Sequence, residues 1–179
     1  MAKEPFPKTV KLSGTDFAFR LMTAHDRAAI LKMAVQLEEA DLYFMRGDIT
    51  QPEMVDEWVD DVESGRALTI LVEDRGKIVA YGTLHYNQIY WNRHLAEVRI
   101  MVSSGYRNRS LGTEITNELM RLAKERKFDK VLSFMAAEDK GAQKMLEGAG
   151  FRAEALLSDW IKTRDNQTHD LVIMSVSLK

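Results

Sequence analysis

The spacing of hydrophobic positions changes several times along this chain, and each change marks an element. Residues 9–12 and 17–21 alternate as two short strands around Ser13-Gly14-Thr15. Thr23 is the expected N-cap of a helix whose apolar stripe is Ile30, Leu31, Ala34, Val35 and Leu37. Pro52 suits the first turn of a second helix, with Met54, Val55, Trp58, Val59 and Val62 on its apolar face. A strand over 67–72 then turns at Asp74-Arg-Gly-Lys77 into a strand over 78–86. A polar-aromatic connection, 88–94, leads to an apolar strand over 95–102, and a helix follows from Ser110 to about Arg126 with Ile115, Leu119 and Leu122 facing inward. The remainder reads as strand 130–135, helix 139–147 and two long strands near 151–161 and 169–178, with Asp165-Asn166-Gln167 as the turn between them. This order predicts an α/β architecture, a mixed sheet with helices on both faces.

The most informative segment is 97–113, Glu-Val-Arg-Ile-Met-Val-Ser-Ser-Gly-Tyr-Arg-Asn-Arg-Ser-Leu-Gly-Thr. A strand that enters a helix through a basic, small-residue turn makes an anion site. The first helical turn has amides without intrahelical partners and carries the positive end of the macrodipole. Ser110 and Gly112 permit close approach to that backbone, while Arg107 and Arg109 supply charge. A solvated loop capped by Ser110 is the competing reading. The turn is neither a phosphate-binding loop ending in Gly-Lys-Ser/Thr nor a dinucleotide fingerprint. Side chains alternate along a strand, so Glu97, Arg99 and Met101 share one face; Glu97 is either a proton acceptor or half of a Glu97–Arg99 surface pair.

A second segment, Ala142-Gln-Lys-Met-Leu-Glu-Gly-Ala-Gly-Phe151, supplies the context. With it the chain resembles the GCN5-related N-acetyltransferase (GNAT) superfamily over about residues 17 to 179. In that family the cofactor turn follows Arg/Gln-x-x-Gly-x-Gly/Ala, and Arg107-Asn-Arg-Ser-Leu-Gly112 occupies it here. The family's Asn-x-x-Ala-x-x-Leu-Tyr-x-x-x-Gly-Phe falls on Asp139 to Phe151. Three positions depart from the pattern: Ser110 for the first glycine, Asp139 for asparagine, and Leu146 for the tyrosine often proposed as general acid.

The resemblance implies a mostly antiparallel sheet splayed between two central parallel strands, with helices on both faces. It implies acetyl-coenzyme A or coenzyme A as co-substrate, no metal, and transfer of an acetyl group to a primary amine by direct attack. Glu97 matches the carboxylate used as general base. Ile100, Met101 and Val102 would pair with pantetheine, a backbone N–H near Met101 would stabilise the oxyanion, and the amides of Arg107, Asn108, Arg109, Ser110, Leu111, Gly112 and Thr113 would hold the pyrophosphate. Asp139 and Leu146 complete the expected cofactor contacts, and Tyr43, Tyr81, Tyr86 or Tyr90 could replace the missing acid. A GNAT-like domain that binds acyl-coenzyme A without turnover is the alternative reading.

Bulk properties narrow the surroundings. Residues 1–16 are expected as a lead-in with a short strand, and 17–179 as the acetyltransferase domain. No apolar run approaches the roughly 20 residues that span a bilayer, and no membrane partner is expected. The 179-residue chain has no cysteine, which excludes a disulfide or a thiol nucleophile, and a cytoplasmic location is the expectation. A net charge of −2 without a basic arm argues against nucleic-acid binding. The four histidines show no metal-ligand spacing. From Leu37 to Ser64 every charged residue except Arg46 is acidic, which reads either as a wall attracting a cationic amine or as a solvated helix face. The expected acceptor is a small-molecule or peptide amine, and exposed aromatics at Tyr90 and Trp91 leave a homodimer possible.

Overall fold

The computed structural model describes residues 6–42, 45, 47–163 and 165–179. The start of the expected lead-in, residues 1–5, and Tyr43 and Arg46 lie outside the described residues. Eight strands form one mixed sheet in the order β1-β2-β3-β4-β5-β6-β8-β7. They are β1 (Lys8–Leu12), β2 (Thr15–Leu21), β3 (Ala67–Asp74), β4 (Lys77–Tyr86), β5 (Leu95–Val102), β6 (Lys130–Ala136), β7 (Arg152–Lys162) and β8 (Thr168–Ser177). All neighbours are antiparallel except β5 and β6. Helices α1 (Arg27–Ala34), α2 (Glu39–Leu42) and α3 (Pro52–Glu63) precede β3, while α4 (Leu111–Glu125) and α5 (Lys140–Gly148) flank β6 in sequence.

Alternation along the strands sorts the core into two parts. Ile70, Val72, Ala80, Leu84, Ala96 and Val98 meet Ile115, Leu119 and Leu122 of α4 in the main cluster. Each of the larger side chains among them (Ile, Val and Leu), fully buried, contributes about 1.5–3 kcal/mol. Gly82 lets α4 settle on the sheet, because a Cβ there would lie 2.2 Å from Ile115 Cγ2. On the opposite face Leu71, Ile78 and Met101 pack against Ile30, Met33, Val55 and Trp58 of α1 and α3.

The first helix differs from the expectation. The chain forms a 3₁₀ turn at Ala24–Asp26 before α1, and α1 ends at Ala34. Val35, expected in the apolar stripe, is 69% exposed. The short turn forms because the Asp26 carboxylate accepts hydrogen bonds from the Thr23 N–H at 2.8 Å and the Thr23 hydroxyl at 3.1 Å. It is also held by Arg20 Nη2 at 2.7 Å. The four-residue α2 has no periodicity to reveal it in the sequence.

The feature that positions the site is the junction of β5 and β6. These strands pair only at Leu95↔Lys130, Ala96↔Val131 and Glu97↔Leu132. Ser133 Oγ donates to the Val98 carbonyl at 3.3 Å just beyond the last pair. From there β5 runs on along β4 and β6 along β8, so the sheet forks.

Candidate active site

Two hydrogen bonds orient the β5 backbone at the fork. The Val98 carbonyl points toward β6, and the Ser103 N–H donates to the Val79 carbonyl on the β4 side at 3.0 Å. Because backbone groups alternate from one residue to the next, those of Ile100 and Val102 face the gap. Met101 faces β4, and its side chain is buried under α1 and α3. The amides turned toward the gap are therefore those of Ile100 and Val102, not that of Met101. The Val102 carbonyl accepts from Arg107 Nε at 3.2 Å.

The turn after β5 is a 3₁₀ turn, Ser104–Tyr106, followed by two residues in the left-handed region, Asn108 at φ 60 and Ser110 at φ 62. Ser110 stands at the N-cap of α4, but its side chain makes no capping hydrogen bond. The solvated-loop reading with a Ser110 cap is thus incorrect in its detail: the residue turns the chain by its backbone, as a glycine would. Its carbonyl accepts from the Glu114 N–H at 3.0 Å, which begins the helix. Leu111 is buried in the main core, whereas Thr113 is exposed. Gly112 lies against α5, and a Cβ there would meet Met145 Sδ at 2.6 Å. The amides at the start of a fifteen-residue helix thus open beside the fork.

Both arginines of the turn also organise it. Arg107 Nη2 donates to Asp41 Oδ1 on α2, whose side chain is only 1% exposed, and Asp41 Oδ2 accepts from the Ser104 N–H at 3.2 Å. Asp41 was an anonymous member of the acidic stretch in the sequence, and only folding brings it to the turn. The Arg109 guanidinium lies 5.1 Å from the centre of the Tyr106 ring, whose hydroxyl donates to Asp74 Oδ2 at 3.0 Å.

On the α1–α3 side of the fork, Tyr81, Thr83 and His85 of β4 stand opposite Met101, Arg99 and Glu97 of β5. Glu97 Oε1 accepts from Arg99 Nε at 2.8 Å. The pair is half-buried, with the Glu97 side chain 18% exposed and the Arg99 side chain 37%. His85 Nδ1 lies 3.9 Å from Asp61 Oδ2 of α3. Burial pushes the Tyr81 hydroxyl up to about 12, against the opposing charge of Arg99. Tyr86 instead stacks on Phe128 in the main core, and Tyr90 is exposed in the β4–β5 connection, so of the described candidate tyrosines Tyr81 alone sits on this face.

Three carboxylates of the acidic stretch pair with arginines from outside it. Asp41 holds Arg107, Asp56 holds Arg27 and Asp61 Oδ1 accepts from Arg66 Nε at 2.8 Å. The reading of this segment as an attractive wall for a cation loses those three carboxylates.

The second motif closes the other side. Asp139 caps α5, accepting from the Ala142 N–H at 2.9 Å. Gln143 Nε2 donates to the carbonyls of Ala136 and Ala137 at 3.2 and 2.9 Å, fastening α5 to the end of β6. Leu146 is 2% exposed and belongs to the main core with Phe151. Two surface cavities lie elsewhere: one of about 480 Å³ beside β7 and β8, lined by Lys140, Glu154, Leu156 and Asp170, and one of about 300 Å³ near Arg93 and Arg126. Neither contains the paired carboxylate and helix start found at the fork.

The fork, the helix start and the order of elements define the class. The acetyltransferase (GNAT) family model matches residues 31–151, and the chain belongs to this family. It is an acyltransferase by that membership. It is 26% identical over 129 residues, 71% of this chain and 78% of the relative, to "Putative phosphinothricin acetyltransferase YwnH" of Bacillus subtilis (strain 168). In structure it is similar to the ribosomal-protein-alanine N-acetyltransferase from Brucella melitensis, with a TM-score of 0.76 at 20% identity over 89% of this chain and 99% of that one. It is also similar to yncA from Salmonella typhimurium, solved with its cofactor acetyl-CoA, with a TM-score of 0.76 at 14% identity over 91% and 94% of the two chains.

Proposed function

We propose that this protein transfers an acetyl group from acetyl-coenzyme A to a primary amine by direct attack, with Glu97 receiving the amine proton. The observation that carries the reading is the fork itself. Its last paired residue is Glu97, Ile100 turns its backbone into the gap, and the α4 amides open beside it. These residues fit a long phosphorylated thioester: the α4 start suits the pyrophosphate and the open β5 edge suits an amide-bearing arm. Acetyl-coenzyme A supplies the acetyl group as a thioester, so that the acceptor N–C bond forms, the C–S bond breaks and coenzyme A leaves as a thiolate that then takes a proton.

Magnitudes assign the work of this chain's residues. A lysine-like amine, pKa about 10.4, costs roughly 4–5 kcal/mol to deprotonate at pH 7, and a peptide α-amine only about 1 kcal/mol. Glu97 matters most for the more basic acceptor. The Ile100 N–H is the donor for the developing oxyanion. A thiol with a pKa of about 8.5 leaves as thiolate for roughly 2 kcal/mol, so transfer survives without the usual tyrosine acid.

Glu97→Gln tests this assignment. It should lower turnover by about 10²–10⁴-fold at pH 7 while leaving acetyl-coenzyme A affinity nearly unchanged, and the loss should shrink as pH rises and the amine deprotonates unaided. Thiol release across an amine panel at pH 7 and pH 9.5 measures it; equal losses at both pH values would remove Glu97 from the proton path. Buried Leu146 favours a second reading, an acyl-coenzyme A sensor without turnover. Tight binding of acetyl-coenzyme A with no acceptor-dependent thiol release would select it.

A further inference from the structure

Arg99 occupies a particular place in the fork. It is two residues past the last β5–β6 pair, and its side chain shares a face with Glu97. Its floor is a buried polar chain: Thr83, its partner on β4, lies 2.9 Å from Thr69 through their hydroxyls, and Trp58 Nε1 donates to Thr69 at 3.0 Å. Tyr81, half-buried on the same floor, packs against Trp58 with ring centroids 4.7 Å apart. The Arg99 side chain is 37% exposed above this floor. Among the described residues, the Nε bond to Glu97 is the one hydrogen bond it donates. A guanidinium has five N–H donors in a planar fork, so the edge carrying the two terminal nitrogens remains for an oxyanion.

We propose that Arg99 clamps an anionic group on the acceptor, so that the amine acylated here belongs to an amino acid with a free carboxylate. The proposal rests on the transferase reading above and deepens it. The 2.8 Å contact between Glu97 Oε1 and Arg99 Nε holds base and clamp side by side. An acceptor that uses both must carry its ammonium and its anion one or two carbons apart. An α-amino acid meets that condition. A polyamine has no anion, and a peptide N-terminus has an amide where the carboxylate would be. With Asp41, Asp56 and Asp61 tied to arginines, a polycation finds fewer partners on this side than the sequence suggested.

The test compares an amino acid with its methyl ester and its decarboxylated amine, using wild type, Arg99→Met and Arg99→Lys. Steady-state thiol release gives kcat/KM for each. The ratio of amino acid to ester is compared between variants, which cancels the different basicities of the amines. Arg99→Met should lower this ratio by about 10- to 100-fold, mostly through KM, as expected for loss of one charge-assisted pair. Arg99→Lys should restore part of it, because charge is kept while the planar fork is lost. An unchanged ratio in Arg99→Met, with wild type turning over the amines, overturns the clamp and leaves the transferase standing. If no acceptor elicits thiol release, the transferase reading falls, and calorimetric titration with the same ligands decides the clamp. Arg99-dependent binding of the amino acid but not its ester keeps the clamp, and absence of that binding removes it. Circular dichroism of each variant verifies the fold.

Discussion

Leu146 fills space that a tyrosine hydroxyl would need to leave. Its side chain lies in the core that α5 shares with Phe151, so a larger ring there must displace packed neighbours. Leu146→Tyr should therefore destabilise the protein by about 1–3 kcal/mol through overpacking, without raising turnover. Urea denaturation and thiol-release rates check both halves of that expectation; a rise in turnover below pH 8.5 with unchanged stability would restore a vacant acid position. Asp139 departs from the family pattern with less consequence, because its carboxylate caps α5 as an asparagine could. Residue types at both motifs were legible in the sequence. Side-chain direction was not, since the α5 stripe is too short to separate its cleft face from its core face.

The turn between β5 and α4 works as an element more than as a set of side chains. Its φ of 62° at Ser110 is a conformation where a non-glycine residue costs about 1–2 kcal/mol. Ser110→Gly should recover about 1 kcal/mol, or roughly 2–4 °C in Tm for a domain of this size, with acetyl-coenzyme A affinity kept, because in the proposed site the amides and not the hydroxyl hold the phosphates. Scanning calorimetry with and without the ligand measures it. A lower Tm would mean that the hydroxyl contributes more than the strain costs. The glycine preference at this position of the family motif thus has a physical basis in backbone conformation. Arg107 reaches beyond the turn to α2 and Arg109 lies against the Tyr106 ring within it, so their charge is partly engaged in holding the turn in place.

At the scale of the molecule, Arg20 joins β2, the start of α1 and β3 by contacting Asp26 at 2.7 Å and Glu73 at 2.6 Å. Burial opposes ionisation of Asp26, yet the hydrogen bonds from Arg20 and Thr23 outweigh it and hold its carboxyl below the usual range. A depressed folded pKa gives stability that is fully present above about pH 4 and is lost as pH falls through the folded value. Asp26→Asn should lower stability at pH 7 and flatten the acid limb of the stability curve below pH 4. Chemical denaturation from pH 2 to pH 7 tests this, and an unaltered acid limb would show that Asp26 is not the group titrating there. No helix among the described residues is long and apolar enough to cross a membrane.

Local pattern carried most of the architecture. β5 was expected at 95–102 and is found at Leu95–Val102, because an apolar run between a polar connection and a small-residue turn has few alternatives. The α4 stripe and the Asp74–Lys77 turn follow from periodicity and from glycine chemistry for the same reason. Fold class and the place of the basic turn between β5 and α4 were thus properties of the sequence itself. Contacts between distant segments were not. Whether Glu97 stands at the fork depends on where β5 and β6 cease to pair, and the capture of Arg107 by Asp41 depends on how α2 is carried over the sheet. The surroundings of Arg99 are likewise set by Thr83 and Tyr81 on the neighbouring strand. Such pairings join residues far apart in the chain, and no local spacing encodes them; only the closed sheet and its covering helices decide which charges meet.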